Sequence, residues 1–207
     1  VADERVQLPK LLASVGFDAD AEQMRLLDAA RAEFIAHGYR RTSVGDIARR
    51  AKIARQTVYR RLGDKGDIVR QVTLREVVEF LEAVGPRVLA HPTPVERAAE
   101  AFVLGVAECR TNELLAALRR FEPETVQPLL DDRASALEPV RTLIAMAITS
   151  EGLPMEAAVR AADLMFRVAA SLVIVPSPVL PIDTDDHARW LARTYFGPLI
   201  EASAVAA

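Results

Sequence analysis

The sharpest alternation of apolar and polar positions lies between Gly38 and Gly66, GYRRTSVGDIARRAKIARQTVYRRLGDKG. Val44, Ile47, Ala48 and Ala51 recur at i, i+3, i+4 and i+7, which is one face of a short helix. Ser43 followed by Asp46 has capping-box spacing and predicts the start of that helix. Ile53, Val58 and Leu62 supply the inward side of a second short helix, whose outward side carries Arg55, Gln56, Tyr59 and Arg60. Two short amphipathic helices around a tight break, with a basic outer face, describe a helix-turn-helix. Its second helix enters the major groove of DNA.

The same pattern organises the flanks. Asp20 and Gln23 offer a cap and its return partner for a helix in which Met24, Leu27, Ala30 and Phe34 repeat at helical spacing. That helix should end at His37-Gly38, where Gly can take the left-handed conformation. Phe34 is the expected centre of a three-helix core, against Ile47 and Val58. Asp64, with Asp67 in the first turn, predicts a long helix buried through Ile68, Val69, Val72, Val77, Phe80, Leu81 and Val84 and stopped by Gly85-Pro86. After His91-Pro92-Thr93-Pro94, helices are expected over Val95–Arg110, Asn112–Phe121, Thr125–Ser150, Met155–Val173 and Asp185–Ala202. Pro123, Pro128 and Pro139 cut the third of these into pieces. Ser171–Val175 is β-branched enough to imitate a strand, but strand alternation and internal repeats are absent. The expected fold class is all-α: an arm over residues 1–19, a helix-turn-helix domain over 20–66 with its motif at about 43–62, and a regulatory helical region over 67–207, joined through the long helix.

Charge sharpens the functional reading. Gly38–Gly66 holds nine basic residues against Asp46 and Asp64, a balance of +7, whereas the whole chain is at −3 and the remainder therefore at −10. A polyanion is drawn to the first part and repelled by the second. Taken alone, such a run equally describes a solvated helix face; joined to the helical periodicity it points to duplex DNA. The 207 residues are about half apolar, enough for a buried core. The single Cys109 excludes a disulfide framework or multi-cysteine zinc site and fits a small core residue in a reducing cytoplasm. The start, VADERVQLPKLLASVG, is too charged for a secretory signal. The apolar run 168–182 contains Pro176, Pro178 and Pro181 and is too short to span a bilayer. A cytoplasmic protein without a membrane partner is expected. His37, His91 and His187 are scattered without metal-ligand spacing, and neither a phosphate-cradling glycine loop nor a Gly-x-Ser-x-Gly elbow occurs. No metal, cofactor or enzymatic activity is expected.

The order Gly38-Tyr39, Thr42-Ser43, Asp46-Ile47-Ala48, Thr57-Val58-Tyr59 and Asp64-Lys65 resembles the tetracycline-repressor (TetR) family of one-component transcriptional regulators, over residues 25 to 72. Lys52 stands where the family usually has the turn Gly, Ala54 where it usually has a Ser cap, and Leu62 where an aromatic is common. Ala54 cannot accept a hydrogen bond from the next helix, a loss of about 1 kcal/mol. Lys52 matters only if its position requires positive φ.

The resemblance implies that Thr42, Ser43, Tyr59 and Lys65 hold phosphates. Arg41, Arg60 and Arg61 are further phosphate candidates, and Gly45 lacks the base-reading Arg of some members. Arg55, Gln56 and Thr57, in the first turn of the second helix, match guanine, adenine and the thymine methyl. One short helix reads too little sequence alone, so a two-fold dimer on operator DNA follows. The resemblance places the dimer interface on the last two helices. There Leu164, Met165, Val168, Ala169 and Leu172 form one stripe, and Trp190, Leu191, Thr194, Tyr195 and Pro198 another. The same stripes could instead be core within one chain. The resemblance also implies a cavity for a small-molecule effector, with Phe80, Phe102, Leu118, Phe121, Met146, Met155, Met165 and Phe166 as candidate lining, though each taken singly is more readily plain core. The scarcity of polar residues among them points to an apolar or amphipathic ligand. The expected function is a DNA-binding regulator, a repressor released by that ligand. The alternative is a DNA-binding module without sequence preference, or a helical interaction module.

Overall fold

The computed structural model describes residues 19–121 and 137–205. The expected arm, save Ala19, and the stretch holding Pro123 and Pro128 lie outside the described residues. All regular structure among the described residues is helical: α1 (Ala21–His37), α2 (Val44–Ala51), α3 (Arg55–Leu62), α4 (Lys65–Leu89), α5 (Pro94–Thr111), α6 (Glu113–Phe121), α7 (Glu138–Ile148), α8 (Met155–Ile174), α9 (Asp185–Leu191) and α10 (Gly197–Val205). A π-helical stretch, Ala192–Phe196, joins α9 to α10. The described chain divides into two compact units, one of residues 19–79, 111–121 and 137, the other of 80–110 and 138–205. The fold is all-α, with an N-terminal helix-turn-helix followed by a helical C-terminal part.

In the first unit, local capping starts α1, α2 and α4 where the sequence places them. Asp20 Oδ1 accepts the amides of Glu22 and Gln23 while Gln23 Oε1 accepts from Asp20 N. Ser43 and Asp46 form the same reciprocal box at α2. Asp64 and Asp67 exchange two 2.9 Å bonds at the start of α4. Two amides that a bare helix end would leave unpaired are satisfied each time. The inward faces then meet in one core, in which Leu27, Ile47, Val58, Ile68 and Val72 are fully buried around Phe34. Each contributes about 1.5–3 kcal/mol relative to exposure. Arg31 holds Glu76 at 2.8 Å, Asn112 donates to the same carboxylate at 3.0 Å, and Arg75 holds Asp28 at 2.8 Å. These links fix α1, α4 and the approach to α6 together.

Two local expectations are corrected. Helix α4 does not stop at Gly85-Pro86 but runs to Leu89. Proline removes one helical hydrogen bond, yet Val88 is buried and Arg87 binds Glu100 at 3.0 Å, so tertiary contacts carry the helix onward. Gly38 has φ 78° and ψ 161°, a glycine-only conformation but not the left-handed helical one. A β-carbon there would stand 2.8 Å from Phe121 Cβ. Ser171–Ile174, β-branched though it is, forms the last turn of α8, in line with the helix expected over Met155–Val173.

The second unit packs Phe102, Val106, Ile148, Leu153, Met165, Leu191 and Phe196 into its own core. Its buried Glu100 accepts from Arg87 at 3.0 Å and Arg189 at 2.9 Å, tying the end of α4, α5 and α9. Arg189, first among the charges, holds the Glu100 carboxyl below its usual range despite the opposing effect of burial.

Candidate nucleic-acid interface

Helix α3 buries Val58 and Leu62 and turns Arg55, Gln56, Tyr59 and Arg60 to solvent. The turn before it explains this orientation. Lys52 has φ 57° and ψ 43°, so the position does adopt the left-handed conformation that the sequence left conditional. Its amide donates to the carbonyls of Ala48 and Arg49, closing α2, and Ile53 N returns to Ala48 O at 3.0 Å. A lysine is retained there at a backbone cost of about 1–2 kcal/mol. Ala54 occupies the cap of α3 with no side-chain hydrogen bond, as its side chain requires.

Beside α3 lies an open groove of about 580 Å³ lined by Arg40, Arg41, Thr42, Ser43, Val44, Arg55, Tyr59, Asp64, Lys65 and Gly66. The N-termini of α2 and α4 both open into it, and unsatisfied amides at such ends attract anions. Four cations line the groove against one carboxylate, Asp64. That carboxyl is held below its usual range chiefly by the Asp67 amide. Asp46 is likewise held down, to about 2, by the hydrogen bonds from Ser43 and then Arg49. Both acids therefore spend their charge on helix starts.

The side chains are already arranged. Arg55 Nη2 donates to Tyr59 Oη at 2.9 Å and its guanidinium sits 5.3 Å from the Tyr59 ring centroid. Lys65 Nζ donates to Arg40 O at 3.0 Å and lies 4.5 Å from the Tyr39 ring centroid. Ser43, Arg41, Gln56 and Arg60 are exposed and Thr57 is half-buried. Two expectations change. Thr42 is buried, and its hydroxyl donates to Gly38 O at 2.8 Å, so the side chain braces the α1–α2 turn and does not face a phosphate. Arg61 is held by Asp20 at 3.0 Å and Glu22 at 2.5 Å. Arg40, which sequence reasoning counted only in the charge balance, lines the groove. Its place in a basic pair with Arg41, just before the Ser43 cap, was the available signal.

The other candidate residues separate by burial. Leu164, Val168, Trp190 and Tyr195 are exposed apolar side chains, and Trp190 and Tyr195 meet edge to face at 6.0 Å. Leu172 and Leu191 point inward, the latter fully buried, and belong to the core of their own chain. Of the effector candidates, Phe102 and Met165 share that core. Phe80, Met146 and Phe166 are half-buried, and Met155 is 46% exposed. Leu118 and Phe121 belong to the first unit, where Phe121 covers Gly38. No group of metal-binding side chains occurs among the described residues, and no described helix is long and apolar enough to cross a membrane.

Residues 26–72 match the family described as bacterial regulatory proteins, tetR family. No curated protein matches the sequence. Among solved structures, the chain is similar to the TetR family repressor AlkX from Dietzia sp. strain DQ12-45-1b, implicated in n-alkane biodegradation, at 18% identity and TM-score 0.65, covering 88% of this chain and 96% of that one. It is also similar to the transcriptional regulator FadR from Bacillus subtilis in complex with stearoyl-CoA, at 17% identity and TM-score 0.56, covering 87% and 97%. The fatty acid degradation regulator FadR from Bacillus halodurans follows at 14% identity and TM-score 0.53, covering 90% and 96%.

Proposed function

We propose that this chain, whose residues 26–72 match the family described as bacterial regulatory proteins, tetR family, is a dimeric repressor of that family that binds operator DNA through α3 and releases it when a small, largely apolar effector binds. The observation that carries the DNA half is the pairing of an outward α3 with a cationic groove into which two helix N-termini open. Ser43, Arg41, Arg55, Tyr59 and Lys65 supply charge and hydroxyl donors there, and Gln56, Thr57 and Arg60 occupy the remaining outer face of α3. Arg41, Lys65 and Tyr59 hold phosphates; Gln56 suits adenine.

The dimer half rests on Leu164, Val168, Trp190 and Tyr195, large apolar side chains left at the surface of α8, α9 and the π-helical stretch. A second copy covering them doubles the DNA contact, which one short helix needs for useful affinity. The effector half rests on large apolar side chains in the second unit, Phe102, Met165 and the half-buried Phe80, Met146 and Phe166 among them. Similar folds, a repressor implicated in n-alkane biodegradation and a regulator in complex with stearoyl-CoA, support an alkyl or acyl chain as the ligand class.

Footprinting on the DNA flanking its own gene tests the reading. Two protected patches about one helical turn apart are expected, weakened by long-chain acyl-CoA. Protection that tracks salt but never one sequence would instead support a DNA-binding module without sequence preference.

A further inference from the structure

At about 100° per residue, the outer face of α3 has a middle and two flanks. Val58 and Leu62 define the buried side. Gln56 and Arg60, one turn apart, lie in the middle of the outward arc. Arg61 belongs to one flank and is tied back to Asp20 and Glu22 on α1. Arg55 and Tyr59 form the other flank, and there they line the same groove as Ser43, Arg41 and Lys65.

We propose that Arg55 clamps a DNA phosphate, held in position by Tyr59, and that base discrimination by α3 rests on Gln56 with Arg60. The sequence alone gave Arg55 the opposite part, since an Arg in the first turn of a recognition helix suits guanine. Two contacts reverse it. The 2.9 Å bond to Tyr59 Oη and the placement over the Tyr59 ring draw the guanidinium sideways along α3, into the groove. The groove's other polar donors surround a site with the character of a phosphate pocket: a Ser hydroxyl, a Lys and two helix N-termini. An Arg engaged there cannot also reach a base edge in the middle of the helix face. Tyr59 is then a positioning residue for Arg55 as well as a hydroxyl in the groove.

The inference rests on the DNA-binding reading, and one experiment separates the two. Binding sites are selected from a randomised duplex library with the wild-type chain, Arg55→Ala, Arg55→Lys and Gln56→Ala, and affinities are then measured on the selected duplex and on a scrambled one across salt. Arg55→Ala should select the same motif and weaken both duplexes by the same factor, with the slope of log K against log salt reduced by about 0.9. Arg55→Lys should keep the motif and most of the slope, because a point charge still serves a phosphate. Gln56→Ala should lose about 5- to 150-fold on the selected duplex only. Tyr59→Phe should cost less in the Arg55→Ala background than in wild type.

Loss of a guanine from the motif with either Arg55 variant overturns the assignment while leaving the regulator reading intact. Equal losses from Tyr59→Phe in both backgrounds overturn the tether. Failure of the wild-type chain to bind duplex DNA overturns both readings together. Arg55 is exposed, and an unchanged thermal melt confirms that each variant is folded.

Discussion

The uncapped start of α3 offers a quantitative test of how the recognition helix is built. Ala54 already has the extended backbone of a cap, φ −68° and ψ 138°, but no side chain that can accept. Thr57 N reaches only the Ala54 carbonyl, at 2.9 Å. The preceding helix displays the missing contact: Asp46 N lies 3.0 Å from Ser43 O and 3.2 Å from Ser43 Oγ, so carbonyl and hydroxyl share one amide. Ala54 is exposed, so a serine hydroxyl adds no packing conflict. Ala54→Ser should therefore stabilise the chain by about 1 kcal/mol. For a chain of this size that raises the melting temperature by about 2–4 °C, measured by circular dichroism at 222 nm. Ala54→Asp should stabilise at least as much, since its charge also favours the helix dipole. It places a negative charge beside Arg55, however, and should weaken duplex binding relative to the serine variant, more at low salt than at high. Two caps that both raise the melting temperature but differ in affinity for DNA would tie α3 to the interface. A serine variant that melts no higher than wild type would refute the cap geometry. An aspartate variant that binds DNA as well as the serine variant would remove Ala54 from the neighbourhood of the phosphates.

Further outcomes follow from the same geometry. Gly38→Ala should destabilise by about 1–3 kcal/mol or more, because its conformation is open to glycine alone and Phe121 fills the space for a side chain; urea titration checks this. Gly45→Ala should leave the urea midpoint unchanged or raise it, because a β-carbon there meets only Ser43 Oγ at an ordinary 3.5 Å and alanine suits a helix better. Asp46 binds its proton less tightly folded than unfolded, its folded value being about 2. Its contribution is therefore complete above the unfolded carboxylate range and lost as pH falls through 4 toward 2. Stability measured over that window should decline more steeply for wild type than for Asp46→Asn.

The parts legible in the sequence are those written at i, i+3 and i+4. Asp20 with Gln23 and Ser43 with Asp46 announce helix starts because cap and partner are close in the chain. Val58 and Leu62 announce a buried face for the same reason. The structure departs from the sequence reading where a distant contact decides. Pro86 should have ended α4, but Arg87 and Val88 hold it with partners elsewhere in the fold. Phe121 fills the space a side chain at Gly38 would need, and Thr42 is buried by the turn it braces. Leu172 and Leu191 sit in stripes whose periodicity suits a subunit interface and a core equally well, and only burial separates them from Leu164 and Trp190. At the DNA face, residue types named Arg55 and Gln56 alike, whereas the hydrogen bond to Tyr59 gives them different directions.

The central claim is that the outer face of α3 enters the major groove. Methylation interference on a duplex selected by the wild-type chain tests it most directly, because dimethyl sulfate marks guanine N7 in the major groove and adenine N3 in the minor groove. Guanine methylation within each protected half-site should block binding, and adenine methylation there should not. Interference confined to adenine N3, or binding indifferent to both marks, would contradict the placement of α3.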